Sequence, residues 1–225
     1  MRRSLVIALT LLLARISFSR ESGGGIGMFG PSLGFIDYSG LNSTLRRYGF
    51  EQLASPHPMM GGAGYGFINR IVIGGGGWGG SQTVASESLN LRCQVSVSGG
   101  EFQVGYSVVF TRRFVLTPLL GIGGTGYEIS LQPATGSVTN LDSLLAHPGR
   151  TSALSFSSLS TSLQLGLTLP VSFVALHMRG GYYLMPGSPA WTTGDGSTVI
   201  RGPSVAKGMP FASLCIGFGG FGKDN

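Results

Sequence analysis

LSTSLQLGLTL, residues 159–169, is the stretch that decides the fold. Leu159, Leu163, Leu165, Leu167 and Leu169 share one parity, and Ser160, Ser162, Gln164, Gly166 and Thr168 share the other. Alternation with period 2 sends successive side chains to opposite faces of a β-strand. One face here is leucine except at Thr161; the other is small and polar but uncharged. The exposed face of a soluble strand accepts Lys and Glu freely. A polar face without charge suits a narrow enclosed lumen instead. The leucine face suits lipid, where a charged side chain costs about 2–4 kcal/mol at the midplane.

Working outward, three more stretches repeat the pattern. Phe102, Val104, Tyr106, Val108 and Phe110 alternate with Gln103, Gly105, Ser107 and Thr111. Val174, Leu176, Met178, Tyr182 and Leu184 alternate with Ala175, His177, Arg179 and Gly181. Leu214, Ile216 and Phe218 alternate with Ser213, Cys215, Gly217 and Gly219. The whole chain then reads as eight strands, near 26–38, 59–68, 71–83, 88–110, 114–131, 156–169, 173–185 and 209–221. Tight connections at Asn69-Arg70, Thr111-Arg112-Arg113 and Pro170-Val171-Ser172 alternate with long polar ones near 39–58, 133–155 and 187–208. That is the loop rhythm of an all-β, antiparallel, up-and-down transmembrane barrel. The connection near 84–87 is shorter than the rhythm expects.

Charge follows the same map. Within the strand spans only Asp37, Arg92, Glu101, Glu128 and Arg179 are charged, and Arg92 and Glu101 are expected beyond the membrane band. His177, Arg179 and Glu128 are the polar side chains expected to point into the lumen. Two phase changes stand beside glycine pairs. Apolar positions run odd from Leu89 to Val97 and even after Gly99-Gly100, then odd again after Gly123-Gly124. A β-bulge at each pair would flip the faces in this way. The competing reading makes Ser98-Gly99-Gly100-Glu101 a hairpin turn and raises the count toward ten strands.

Composition bounds the answer. Glycine is abundant, at 39 of 225 residues, yet 42% of the chain is apolar and 10% aromatic, which argues against disorder. Arg2 and Arg3 precede the apolar run Leu5 to Ala14, and Ser17-Phe18-Ser19 offers a small-x-small cleavage site. This is the layout of a secretory signal peptide over 1–19, leaving 20–225 as a single barrel domain. Past that point twelve basic residues face nine acidic ones, scattered along the chain, so no nucleic-acid footprint is present.

The signal peptide, amphipathic strands, alternating loop lengths and aromatic-rich end at Leu214, Ile216, Phe218 and Phe221 resemble the small bacterial outer-membrane β-barrels of the eight-stranded class. The resemblance implies residence in the bacterial outer membrane, outer-membrane lipid as surroundings, and insertion by the barrel-assembly machinery that recognises the last strand. In that class the chain usually ends on the aromatic residue; here Gly222-Lys223-Asp224-Asn225 follows it.

Candidate chemistry is sparse. Gly121-Ile122-Gly123-Gly124-Thr125-Gly126 matches GxGxxG, but strand rather than helix follows it, and the same spacing recurs three times elsewhere in the chain. No Ser-His-Asp order or HExxH spacing supports an enzyme, and neither a metal site nor a cofactor is implied. His57 and His147 fall in loops and are expected to be solvated. Cys93 and Cys215 are expected on opposite sheet faces, hence as free thiols. Asn42-Ser43-Thr44 matches the glycosylation acceptor pattern, which is frequent by chance. Tyr38, Trp78, Tyr127, Tyr182 and Tyr183 are candidates for aromatic girdles. The expected function is an outer-membrane barrel with a structural, surface-interaction or small-solute passage role. Two alternatives stand beside it: a secreted soluble barrel holding a small apolar ligand, and an outer-membrane lipid-modifying enzyme.

Overall fold

In the computed structural model the described residues are 23–111, 113–134, 152–187, 190–199, 202–204 and 206–220. Eight long strands carry the fold: β1 (Gly23–Gly34), β2 (His57–Ile68), β3 (Ile71–Ser86), β4 (Leu91–Tyr106), β5 (Val115–Pro133), β6 (Ser152–Val171), β7 (Val174–Leu184) and β8 (Gly208–Gly220). Each pairs antiparallel with the next, and β8 pairs back onto β1 through registers such as Phe29 with Ile216. The sheet therefore closes into an eight-stranded up-and-down barrel, which removes every unpaired edge. Short turns join the strands at one end, the turn end; the long connections lie at the other, the loop end. The ten-stranded alternative does not hold, because β4 runs unbroken through Gly99-Gly100.

The proposed bulges are corrected by the same registers. β4 pairs with both neighbours without a slip, and β5 pairs with β6 without a slip across Gly123-Gly124. What changes is the surroundings. On β4, Cys93, Val95, Val97, Glu101 and Gln103 all point inward and are buried. Near the loop end the outward residues are Arg92, Gln94, Ser96 and Ser98; toward the turn end they are Phe102, Val104 and Tyr106. Apolar chemistry moves from the inner face to the outer face halfway along a regular strand. The loop-end half has a largely apolar interior and a polar exterior. The other half has an apolar exterior, bearing exposed Leu120, Leu159, Leu163, Leu165 and Phe218 among others.

The long strands β3 to β6 rise past this apolar belt and form a wall at the loop end. Against it packs α1 (Ser39–Arg47), a helix absent from the sequence reading, which buries Leu41 and Leu45. Asn42 fixes the loop beneath it: its amide donates to the Leu53 carbonyl at 3.0 Å and accepts the Leu53 N–H at 2.9 Å. Asp37 accepts the Ser39 N–H at 2.9 Å just before the helix, and that bonding holds its carboxyl below the ordinary carboxylate range.

Candidate functional site

Inside the barrel three layers stack along the axis. At the turn end Ile26, Met28, Tyr65, Phe67, Val72, Leu119, Ala175 and Cys215 form an apolar plug. At the loop end a larger cluster joins Val95, Val97, Trp78, Tyr127, Ile129 and Phe156 to Leu41, Leu45, Phe50 and Trp191 of the connections. Between them lies a polar girdle centred on Glu101.

Glu101 is buried and accepts from four side chains. Gln164 Nε2 donates at 2.6 Å, Tyr183 Oη at 2.8 Å, Gln103 Nε2 at 2.5 Å, and Ser162 Oγ donates to the other carboxylate oxygen. β4, β6 and β7 supply these groups. Their convergence follows from strand periodicity, because Glu101, Gln103, Ser162 and Gln164 all sit at inward positions. Room for the carboxylate comes from β5: a methyl at Gly121 would overlap Glu101 and Ser162. Glycine is required there by close approach, since its neighbours in the barrel leave no space for a Cβ.

Arg179 enters from β7. Its Nη1 donates to Tyr65 Oη at 3.1 Å, and its guanidinium stands 5.5 Å above the Phe211 ring. Tyr65 in turn donates to Gln103 Oε1. His177, one inward position away, meets Thr168 Oγ1 at 2.9 Å, while its Nε2 and the Arg179 Nε have no hydrogen-bond partner among the described residues. The sequence-derived pair His177 and Arg179 thus does face the lumen. Glu128 does not: it is exposed on the outer face of β5, in the wall above the belt. Glu101 occupies the role expected of Glu128. It was missed because it was expected beyond the membrane band.

Other side chains are corrected by the same inward parity. His57 begins β2 and is fully buried, with Tyr38 Oη at 2.7 Å and Gln82 Nε2 at 3.0 Å from its Nδ1. Gln82 is oriented by Ala54, whose N–H it accepts and whose carbonyl it donates to, so its Nε2 donates to Nδ1 and the His57 proton sits on Nε2. Burial pushes the Tyr38 phenol well above its ordinary value. Tyr38, Trp78, Tyr127 and Tyr183 point inward instead of forming a girdle; Tyr182 alone of the five faces outward. Cys93 and Cys215 are both inward, in the loop-end and turn-end clusters respectively, and both are free thiols. His147 lies outside the described residues.

Two recesses open at the loop end. The larger, about 730 Å³, lies between α1 and the wall and is lined by Leu45, Phe50, Leu89, Leu91, Leu131 and Leu154. The smaller, about 290 Å³, is lined by Phe156, Met185, Trp191, Val199 and Lys207. Gly202, Pro203 and Ser204 border both. Trp191 Nε1 donates to the Pro203 carbonyl at 2.8 Å, and Gly202 rests directly on the indole, where a Cβ would overlap the ring.

With eight paired strands, a belt and a filled lumen established, the chain compares with known structures as follows. Its fold is that of the eight-stranded bacterial outer-membrane barrels. It is similar to Ail, the attachment invasion locus protein of Yersinia pestis, solved in complex with the heparin analogue sucrose octasulfate. That match has 11% identity and a TM-score of 0.53, and covers 89% of this chain and 100% of that one. A second Ail structure gives 12% identity, a TM-score of 0.51 and the same coverage. A major outer membrane protein from Thermus thermophilus gives 8% identity and a TM-score of 0.57, covering 88% of this chain and 99% of that one. No known protein family and no curated protein sequence matches the chain.

Proposed function

We propose that this chain is an exported, non-catalytic barrel of the bacterial outer membrane, closed to solutes, whose working surface is the loop end. The observation that carries the reading is the filled lumen: two apolar plugs enclose the Glu101 girdle on both sides. An eight-stranded interior is just wide enough for side chains, so nothing more than inward residues of this size is needed to shut it.

Membrane residence is supported by the outer face. Large apolar side chains are exposed around the turn-end half, including Leu159 and Leu163 at 62% and Phe173 at 67%. A contiguous apolar surface of that kind marks contact with lipid or protein. The run from Leu159 to Val171 spans about 30 Å once tilted, which suits a hydrocarbon core. A soluble apolar-ligand barrel would carry its polar face outside here. A lipid-modifying site is disfavoured because His177 bonds Thr168 inside the barrel, turned away from the belt. The role left for a closed barrel is display of its loop-end wall, helix and apolar recess to a partner. The signal peptide and the assembly machinery belong to the same reading.

A planar-bilayer recording of the purified protein tests it. Silence at moderate voltage is expected. A steady, porin-like conductance would overturn the closed-lumen reading, and quantitative recovery in a detergent-free soluble fraction would overturn membrane residence.

A further inference from the structure

Exposed acids are segregated along the barrel axis, whereas exposed bases stand at both ends, with Arg46, Arg47, Arg92 and Lys207 at the loop end. The five exposed acids among the described residues, Asp37, Glu51, Glu87, Glu128 and Asp195, all stand on the loop-end side. Among the described residues the exposed charges at the turn end are Arg70, between β2 and β3, and Arg113, between β4 and β5, with no acid beside them.

The two arginines belong to adjoining turns: the Ser107 N–H donates to the Arg70 carbonyl at 2.7 Å. Apolar side chains surround them. Ile68, Tyr106, Val108 and Phe114 are exposed on the flanking strand ends, at the edge of the belt. A guanidinium in such a position can lay its aliphatic stem along the apolar surface and hold its planar fork at headgroup depth. Phosphate oxygens match that fork as paired acceptors.

We propose that this turn-end rim is a binding site for the phosphates of anionic phospholipids, with Arg70 and Arg113 as its anchors. The proposal rests on the membrane reading above and names the lipid chemistry that the turn end recognises. A basic side chain near an anionic surface favours it by about fivefold, and salt weakens the preference.

The test reconstitutes the full chain in phosphatidylcholine bilayers and compares spin-labelled phosphatidylglycerol with spin-labelled phosphatidylcholine at the protein boundary. Wild type should retain the anionic probe at least about twofold over the neutral one at low salt, and lose the preference near 1 M NaCl. Arg70→Gln/Arg113→Gln should abolish the preference; Arg70→Lys/Arg113→Lys should keep part of it, since the charge stays while the fork is lost. Arg46→Gln/Arg47→Gln, at the loop end, should change nothing. Equal retention of the two probes by wild type overturns the proposal, as does a preference that survives the Gln pair or falls with the loop-end pair. Failure of wild type to insert in any bilayer overturns the membrane reading instead.

Discussion

Arg179 and Glu101 share one lumen yet are joined only through neutral groups: guanidinium to the Tyr65 hydroxyl, hydroxyl to the Gln103 amide, amide to carboxylate. The two charges still offset each other in a buried interior. Removing one leaves the other buried without compensation, which typically costs about 3–5 kcal/mol. Arg179→Met and Glu101→Gln should each destabilise the barrel by that order. The double variant should be more stable than the sum of the two losses allows. Urea unfolding in lipid vesicles measures this, and strict additivity would show that the relay does not couple the charges.

The belt boundary on β6 gives a second prediction. Leu165 and Ser157 point the same way from one strand, but Leu165 lies in the belt and Ser157 in the polar wall. Leu165→Arg should cost about 2–4 kcal/mol, whereas Ser157→Arg should cost close to nothing. Equal costs in vesicle unfolding would mean that the belt does not end between them. Gln164 is unsuitable as a neutral reference, because its amide donates to Glu101.

Gly121 tests the girdle from the side that carries no polar group. Gly121→Ala puts a methyl against the Glu101 carboxylate and Ser162. Overpacking of this kind costs about 1–3 kcal/mol. Gly27, where an added Cβ meets nothing within 4 Å, should accept alanine with little loss. If both substitutions unfold alike in urea, the carboxylate does not occupy that space.

Much of this architecture was legible because strands announce themselves by parity. β6 and β7 keep one chemistry per face for most of their length, so their faces, and with them His177 and Arg179, read correctly from sequence. β4 and β5 exchange apolar and polar faces where they leave the belt, and that exchange imitates a bulge. Unbroken parity was the signal that would have found the site: Cys93, Val95, Val97, Glu101 and Gln103 are all odd-numbered. The helix was hidden for a different reason. SGLNSTLRR is poor in strong helix formers, and only Leu41 and Leu45 mark a helical face. Packing against the wall, not propensity, makes those residues helical.

The loop-end cap offers the last test. Tyr38, just ahead of α1, is buried and places its hydroxyl 2.7 Å from Nδ1 of His57 at the start of β2. Gln82 of β3 also donates to that nitrogen, so Tyr38→Phe removes one bond and leaves His57 with a partner. The net loss should be about 1 kcal/mol, the usual worth of a single neutral hydrogen bond. It should also be local, because Tyr38 pins a connection and not a barrel strand. Amide hydrogen exchange should accelerate several-fold across 35–56, while β6 amides keep their wild-type protection. Gln82→Ala removes the bonds to Ala54 as well as the donor to His57, and should loosen the same stretch further. Uniform acceleration through the barrel in Tyr38→Phe would show that the cap and the barrel unfold as one unit. Unchanged exchange across 35–56 would show that the Tyr38 hydroxyl does not hold the cap.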